Sequence, residues 1–278
     1  MMGGGISVNE AFEMTIDTTQ SGSASDTFIL RCGNIGTYNA IIDWGDDSTS
    51  NITTWNDADL THVYASSGTY KLKITGDLNW INYQNLGDRL KIISIDNWGS
   101  IVWQSFQNAF SGCANMDVLA TDTPDLSSVT NINQMFRRCA SLISLDASAW
   151  DTSNVNSSSI MFQGCSSLTL LNVTGWDTSS ITSLNQMFSG TGANAPIIGL
   201  DTWNVESVTN FSNWVFGSSL TTVEYDKLLI AWDTLQDVTN GLSVSFGSSK
   251  YTGGGAAETS RTNLISTDSW TITDGGTV

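Results

Sequence analysis

The sequence predicts a mainly β protein, with a small β-sandwich first, a stack of 26-residue repeats next and a small α+β cap last. Three observations carry this reading. Short β-prone runs at 12–16, 28–31, 40–44 and 70–74 are separated by Gly, Asn, Asp and Ser, a spacing that suits an antiparallel sandwich. From about residue 90 the same residue types return every 26 positions. The surface chemistry agrees: 27 acidic and 10 basic residues give a formal charge of -17, yet only 13% of residues are charged. The polar surface is therefore Ser, Thr, Asn and Asp, short side chains that satisfy turns locally at little entropic cost. The expected divisions are a flexible segment 1–6, the sandwich 7–88, the repeat array 89–219 and the cap 220–278.

Within the first division the sharpest feature is Ile41-Ile42-Asp43-Trp44-Gly45-Asp46-Asp47-Ser48, followed by His62-Val63-Tyr64 and Gly68-Thr69-Tyr70. These residues resemble a PKD-type immunoglobulin-like domain, whose W-G-D-G strand-turn and H-x-Y…G-x-Y hairpin they follow, with Asp47 in place of the second Gly. The resemblance covers about a quarter of the chain and implies an immunoglobulin-like β-sandwich. Physically, Asp46 and Asp47 suit an Asx-type turn, while Trp44, Tyr64 and Tyr70 supply large apolar area to a thin core.

The repeat is read from columns. Phe110, Phe136, Phe162 and Phe188 are 26 apart, as are Cys113, Cys139 and Cys165, with Thr191 in the fourth place. Leu119, Leu145 and Leu171 form another column, Val129, Val155 and Ile181 a fourth, and Trp98, Pro124, Trp150 and Trp176 a fifth. Leu90 and Ile93 mark an entry turn. After Thr191 the register slips by one, so that Trp203 and Val208 continue their columns and Phe216 lies two beyond its expected place. One turn cannot bury its own Phe, Leu and Val; stacked at the parallel-strand spacing of about 4.8 Å, the turns bury continuous ladders. Asp125, Asp151 and Asp177 are expected in one polar row on the outside. The unit, clearest from Met135-Phe136-Arg137-Arg138-Cys139 through Trp150-Asp151-Thr152-Ser153-Asn154-Val155, resembles the BspA-like leucine-rich repeat of bacterial surface proteins. That resemblance implies a leucine-rich-repeat-like solenoid.

In the cap, residues 224–232 have helical periodicity, 242–246 alternate like a strand, 256–265 suit a second helix and 270–276 read as strand plus turn. Glu224-Tyr225-Asp226 with Leu228, Leu229 and Trp232, the Ser249-Lys250-Tyr251 segment and Trp270-Thr271-Ile272-Thr273-Asp274-Gly275-Gly276 resemble the ends of repeat proteins encoded by phages. This resemblance implies origin more than mechanism.

Little in the chain suggests chemistry. Cysteines at one position of successive turns project the same way and cannot surround an ion tetrahedrally, so reduced core thiols are expected. Neighbouring Cα atoms at about 5 Å would still permit a disulfide by distance. His62 is the only histidine, and the resemblance assigns it to a hairpin. Asp43, Asp46 and Asp47 are read as a solvated turn, with a calcium site as the second reading. No phosphate or dinucleotide loop is present, and no cofactor is expected. The negative charge disfavours nucleic acid, and no apolar run approaches the roughly 20 residues of a membrane span. The N-terminus shows no secretion signal, so release by assembly or lysis is expected.

The expectation is a non-enzymatic bacteriophage virion protein on the particle surface, a tail fibre, receptor-binding component or capsid decoration. Its partners would be other virion proteins and a host surface receptor or glycan, with homo-oligomers permitted. The alternatives are a bacterial cell-surface adhesin and, from a different class, a polysaccharide depolymerase using Asp43, Asp46 and His62.

Overall fold

A computed structural model describes residues 11–192, 195–235 and 238–278. The segment 1–6 lies outside the described residues. The chain is mainly β, 23% strand against 12% helix, without a closed barrel.

The N-terminal part contributes β1 (Phe12–Asp17), β2 (Thr27–Ile29), β3 (Asn39–Asp43), β4 (Thr49–Ile52), β5 (Thr61–Val63), β6 (Thr69–Asp77) and β7 (Ile92–Asn97). Strict alternation makes β1 a half-buried strand: Phe12, Met14 and Ile16 face the core, and Glu13, Thr15 and Asp17 face outward. β1 pairs antiparallel with β6 on one side and β7 on the other. The resulting six-stranded sheet runs β4-β3-β6-β1-β7-β8, with β8 at Asp117–Val118. β2 and β5 form a separate antiparallel pair that buries Phe28 in the same core.

The H-x-Y…G-x-Y segment is not a hairpin. β5 spends its backbone groups on β2, and the Tyr64 N–H donates to the Asp26 carbonyl at 2.7 Å, so the chain crosses from one sheet to the other before β6 begins. The Tyr64 and Tyr70 rings remain in contact across that crossing, stacked at 3.7 Å.

Beyond β7 the chain stacks turn on turn. The Phe110 N–H donates to the Met135 carbonyl at 2.9 Å, Phe136 to Met161 at 3.0 Å, and Phe162 to Met187 at 3.0 Å. Their rings pile up at 5.8 to 6.0 Å with planes 9 to 15° apart. Trp150, Trp176 and Trp203 make a second pile at 6.3 and 5.9 Å. Pro124 is too small to fill its place there, and the Trp98 and Trp150 rings meet across it, edge to face at 5.8 Å. Three parallel strands, β9 (Ser144–Asp146), β10 (Leu170–Asn172) and β11 (Ile197–Ile198), line one side of the stack.

Two core expectations are corrected. Leu119 is 60% exposed, whereas Leu145 and Leu171 are buried. β8 aligns Val118 with the buried Ile95, and alternation then turns Leu119 outward. Phe216 is also exposed. Phe188 donates to the Trp214 carbonyl at 2.9 Å, which sets Trp214 in the Met row and the fully buried Val215 in the Phe column.

The ladder also runs past both expected ends. Tyr83 donates to the Ala109 carbonyl at 3.2 Å, and at the far end Val215 donates to Ser245 and Phe246 to Thr273 at 3.3 and 2.8 Å. Strands β12 (Ser243–Ser245) and β13 (Thr271–Thr273), a parallel pair, therefore extend the pile. Helices α1 (Thr222–Trp232) and α2 (Ala256–Ser266) are inserted between these last layers. α1 starts where the Thr221 hydroxyl accepts the Glu224 N–H, and it buries Tyr225, Leu228, Leu229 and Trp232, a helical i, i+3, i+4, i+7 stripe.

Candidate functional site

Three groups of residues singled out by sequence come together, and each has a structural occupation. The first is the N-terminal cluster. The hairpin between β3 and β4 places Trp44 beneath His62, rings parallel at 4.8 Å, while Tyr64 meets the same imidazole edge-on at 4.5 Å. His62 Nε2 lies 2.8 Å from Asp46 Oδ2. The other Asp46 oxygen accepts the Ser48 N–H and hydroxyl, closing an Asx turn, and these hydrogen bonds hold its carboxyl below the ordinary range even though burial opposes them. Asp43 turns to the Gly45 N–H instead. Among the described residues no three acidic, His or Cys side chains gather as a metal site, so Asp43, Asp46 and Asp47 do not form the candidate calcium cluster.

The second group is the thiol row. Cys113, Cys139 and Cys165 are free and fully buried. Each later thiol donates to the carbonyl of a Phe one turn back, Cys139 to Phe110 at 3.2 Å and Cys165 to Phe136 at 3.1 Å. Burial pushes Cys165 up to about 12 and raises the other two as well. These thiols are therefore protonated and unreactive at neutral pH. Hydroxyls inherit the position: Thr191 donates to Phe188 at 3.0 Å, and Ser249 to Phe246 at 2.6 Å.

The third is the row of Asp125, Asp151 and Asp177. Each carboxylate accepts a backbone N–H two residues on, from Ser127, Ser153 and Ser179, at 2.9 to 3.1 Å. Hydrogen bonds from those serines lower the Asp151 and Asp177 carboxyls. Asn204 does the same for the Glu206 N–H in the next turn, so the row is turn chemistry rather than a charged site.

What remains is a surface. Leu145, Leu171 and Ile197 point inward from β9, β10 and β11, and alternation turns Ser144, Asp146, Leu170, Asn172 and Ile198 outward. Leu119, Ile143, Leu170 and Ile198 are 60, 53, 41 and 42% exposed on or beside these strands. Beside them opens a groove of about 360 Å³ lined by Val118, Asp122, Ser144 and Asp146. Its wall is fixed by Asp122, whose carboxylate takes the Trp98 and Gly99 N–H groups at 2.8 to 3.0 Å. Apolar side chains held among acids and amides on stacked strands can grip a partner.

Residues 104–228 match the family described as "Mycoplasma protein of unknown function, DUF285". No curated protein and no solved structure matches the chain. The DUF285-like span takes in the Phe, Cys and Trp piles and the strand face, and it closes inside α1.

The strand face was not singled out by sequence reasoning. A repeat of 26 marks which positions recur, and inward and outward positions recur equally well. Alternation within 117–119 was the one signal that could have separated Val118 from Leu119.

Proposed function

We propose that this chain is a non-enzymatic surface protein that works by contact, exposed on a bacteriophage particle as a tail or capsid-decorating component. In this reading an immunoglobulin-like β-sandwich is fused to a short BspA-like solenoid, and the strands of the solenoid display the contact face. The observation that carries it is the exposure of Leu119, Ile143, Leu170 and Ile198, on or beside the stacked strands, with acidic and amide side chains near them. Exposed apolar side chains on a strand face offer a protein partner area to bury. Supporting it, the residues with chemical potential are occupied elsewhere: the thiols are sealed in the core and His62 is stacked on Trp44.

The phage assignment leans on the C-terminal resemblance around Tyr225, Tyr251 and Trp270. The DUF285 likeness, to a family described from a cellular organism, favours a second reading, a bacterial cell-surface adhesin. Immunogold electron microscopy on purified particles and on cells from the source culture separates the two. Gold on particles is the expected result, and its position on capsid or tail chooses between decoration and receptor binding. Gold confined to cell envelopes overturns the virion reading in favour of the adhesin.

A further inference from the structure

In the segment that precedes each strand, the turns align a second row of residues. The N–H groups of Gly112, Arg138, Gly164 and Gly190 donate to the carbonyls of Arg137, Gln163, Ser189 and Phe216 at 2.7 to 2.9 Å, so those four acceptors stand one above another, a layer apart. Side chains follow the same order. Arg137 donates from Nε to the Gln163 amide oxygen at 3.0 Å and from Nη1 to that of Gln134 at 3.3 Å, and the Gln163 amide donates in turn to Gln186. At the far end Phe216 is 62% exposed, on a groove of about 390 Å³ that it shares with Ser218, Ser245 and Thr273. The row therefore runs from a guanidinium past amides to an exposed ring in three layers, about 14 Å at the usual strand spacing.

The basic end has two features that the stack itself does not require. Arg138 has φ 58°, in the left-handed region, whereas Gly112, Gly164, Gly190 and Gly217 hold the equivalent place in the other turns at φ 83, 74, 67 and 73°. Glycine takes that conformation freely; a side chain takes it against strain, and such strain clusters at sites that clamp ligands. The second feature is charge. Arg138 is exposed and follows Arg137 directly. Among the described residues the ion pairs involve His62, Lys71, Lys73 and Arg261, so neither guanidinium has a carboxylate partner there, in a chain of net charge -17. Burial, and after it the Arg138 charge, lower the Arg137 guanidinium below its ordinary range, a repulsion that a bound anion relieves.

We propose that this row docks an extended acidic peptide of a protein partner, with its carboxylates on Arg137 and Arg138 and an apolar side chain on Phe216. At about 3.3 Å per residue, roughly four residues span the distance. Guanidinium forks pair with carboxylates, and the half-buried Gln134, Gln163 and Gln186 can exchange hydrogen bonds with peptide groups. A free phosphate reaches one end only. A uniformly anionic polymer gives Phe216 nothing apolar to cover and meets the negative field of the whole chain. A neutral glycan leaves both arginines unpaired.

This inference rests on the contact reading and deepens it by naming a partner's chemistry and a surface for it. Binding to the full chain is followed by fluorescence anisotropy with labelled peptides that carry a pair of Glu at one end, a pair of Leu or Phe at the other and a short Ser/Gly spacer, in both orders. The expected result is at least one binder at about 0.1 mM or tighter, weakened about tenfold by Arg138→Gly and by Phe216→Ser. Ile143→Ser on the strand face should leave it unchanged. Arg138→Gly should keep or raise the parent unfolding midpoint, because glycine serves in the turns on either side. A lowered midpoint makes Arg138 a structural residue and, like the absence of binding by every peptide, overturns the proposal. So does equal binding by peptides whose apolar end is replaced by Ser, or equal competition by inorganic triphosphate. Any of these results leaves the immunogold outcome standing, since that outcome depends only on where the protein sits.

Discussion

Two leucines of one sequence column, two repeats apart, test the whole account of the stack. Leu171→Ala removes a side chain that is 0% exposed, from the middle strand of three, between Leu145 and Ile197. The change leaves a cavity that neighbouring layers cannot close without breaking the ring piles, so the cost should be about 2–5 kcal/mol. Leu119→Ala removes a side chain that is 60% exposed. Its cost should stay within about 0.5 kcal/mol. For a chain of this size 1 kcal/mol moves the thermal midpoint by roughly 2–4 °C, so a loss near 3 kcal/mol appears as about 6–12 °C for Leu171→Ala. Differential scanning calorimetry on both variants at one scan rate reads the contrast directly. If Leu119→Ala falls as far as Leu171→Ala, the outward turn of β8 is wrong and with it the exposed face on which the contact reading stands.

Other consequences follow from the same geometry. Native protein treated with iodoacetamide at pH 8 should leave Cys113, Cys139 and Cys165 unmodified, and all three should react after denaturation; peptide mass mapping reads the difference. Because burial raises the Cys165 acid from 9.0 to about 12, the folded state holds a proton that the unfolded chain releases, so stability is intact below about pH 9 and declines progressively toward pH 12. Urea midpoints at pH 8 and pH 11 should show this decline, and Cys165→Val should flatten it. The opposite sign applies to Asp177, whose lowered carboxyl stabilises the fold above the ordinary value of 3.8 and stops doing so as pH falls below it. Asp177→Asn should keep the turn, as Asn172 and Asn204 do in equivalent turns, and should make the acid-induced fall in midpoint shallower.

The legible part of the fold was the part in which every residue is repeated by its neighbours. Phe136 between Phe110 and Phe162 needs no long-range guess, because a constant spacing of 26 itself declares the contact. The α1 stripe was equally plain, four apolar residues at helical spacing behind a Thr cap. The ladder's continuation was hidden because its spacing changes: 31 residues separate Val215 from Phe246, since α1 has been inserted into the turn. Ser249 occupies the thiol position there without resembling a cysteine in sequence, and its hydroxyl donates to the Phe246 carbonyl of its own turn instead of one turn back.

The joint between the two halves explains why a stack this short can stand. A pile of repeats exposes an apolar layer at each end, and nearest-neighbour stabilisation fails there unless something covers it. At the first end, β1 pairs with both β6 and β7, and Phe12 packs against Trp98 at 6.1 Å and Trp103 at 5.3 Å, so the N-terminal sheet is itself the cover. At the other end, Trp232 of α1 stacks on Trp214 at 5.4 Å and meets Trp270 at 6.2 Å, so a helix packs against the aromatic column beside the last layers that β12 and β13 add. The N-terminal half therefore serves the stack twice, through the sheet it shares and through the face it seals.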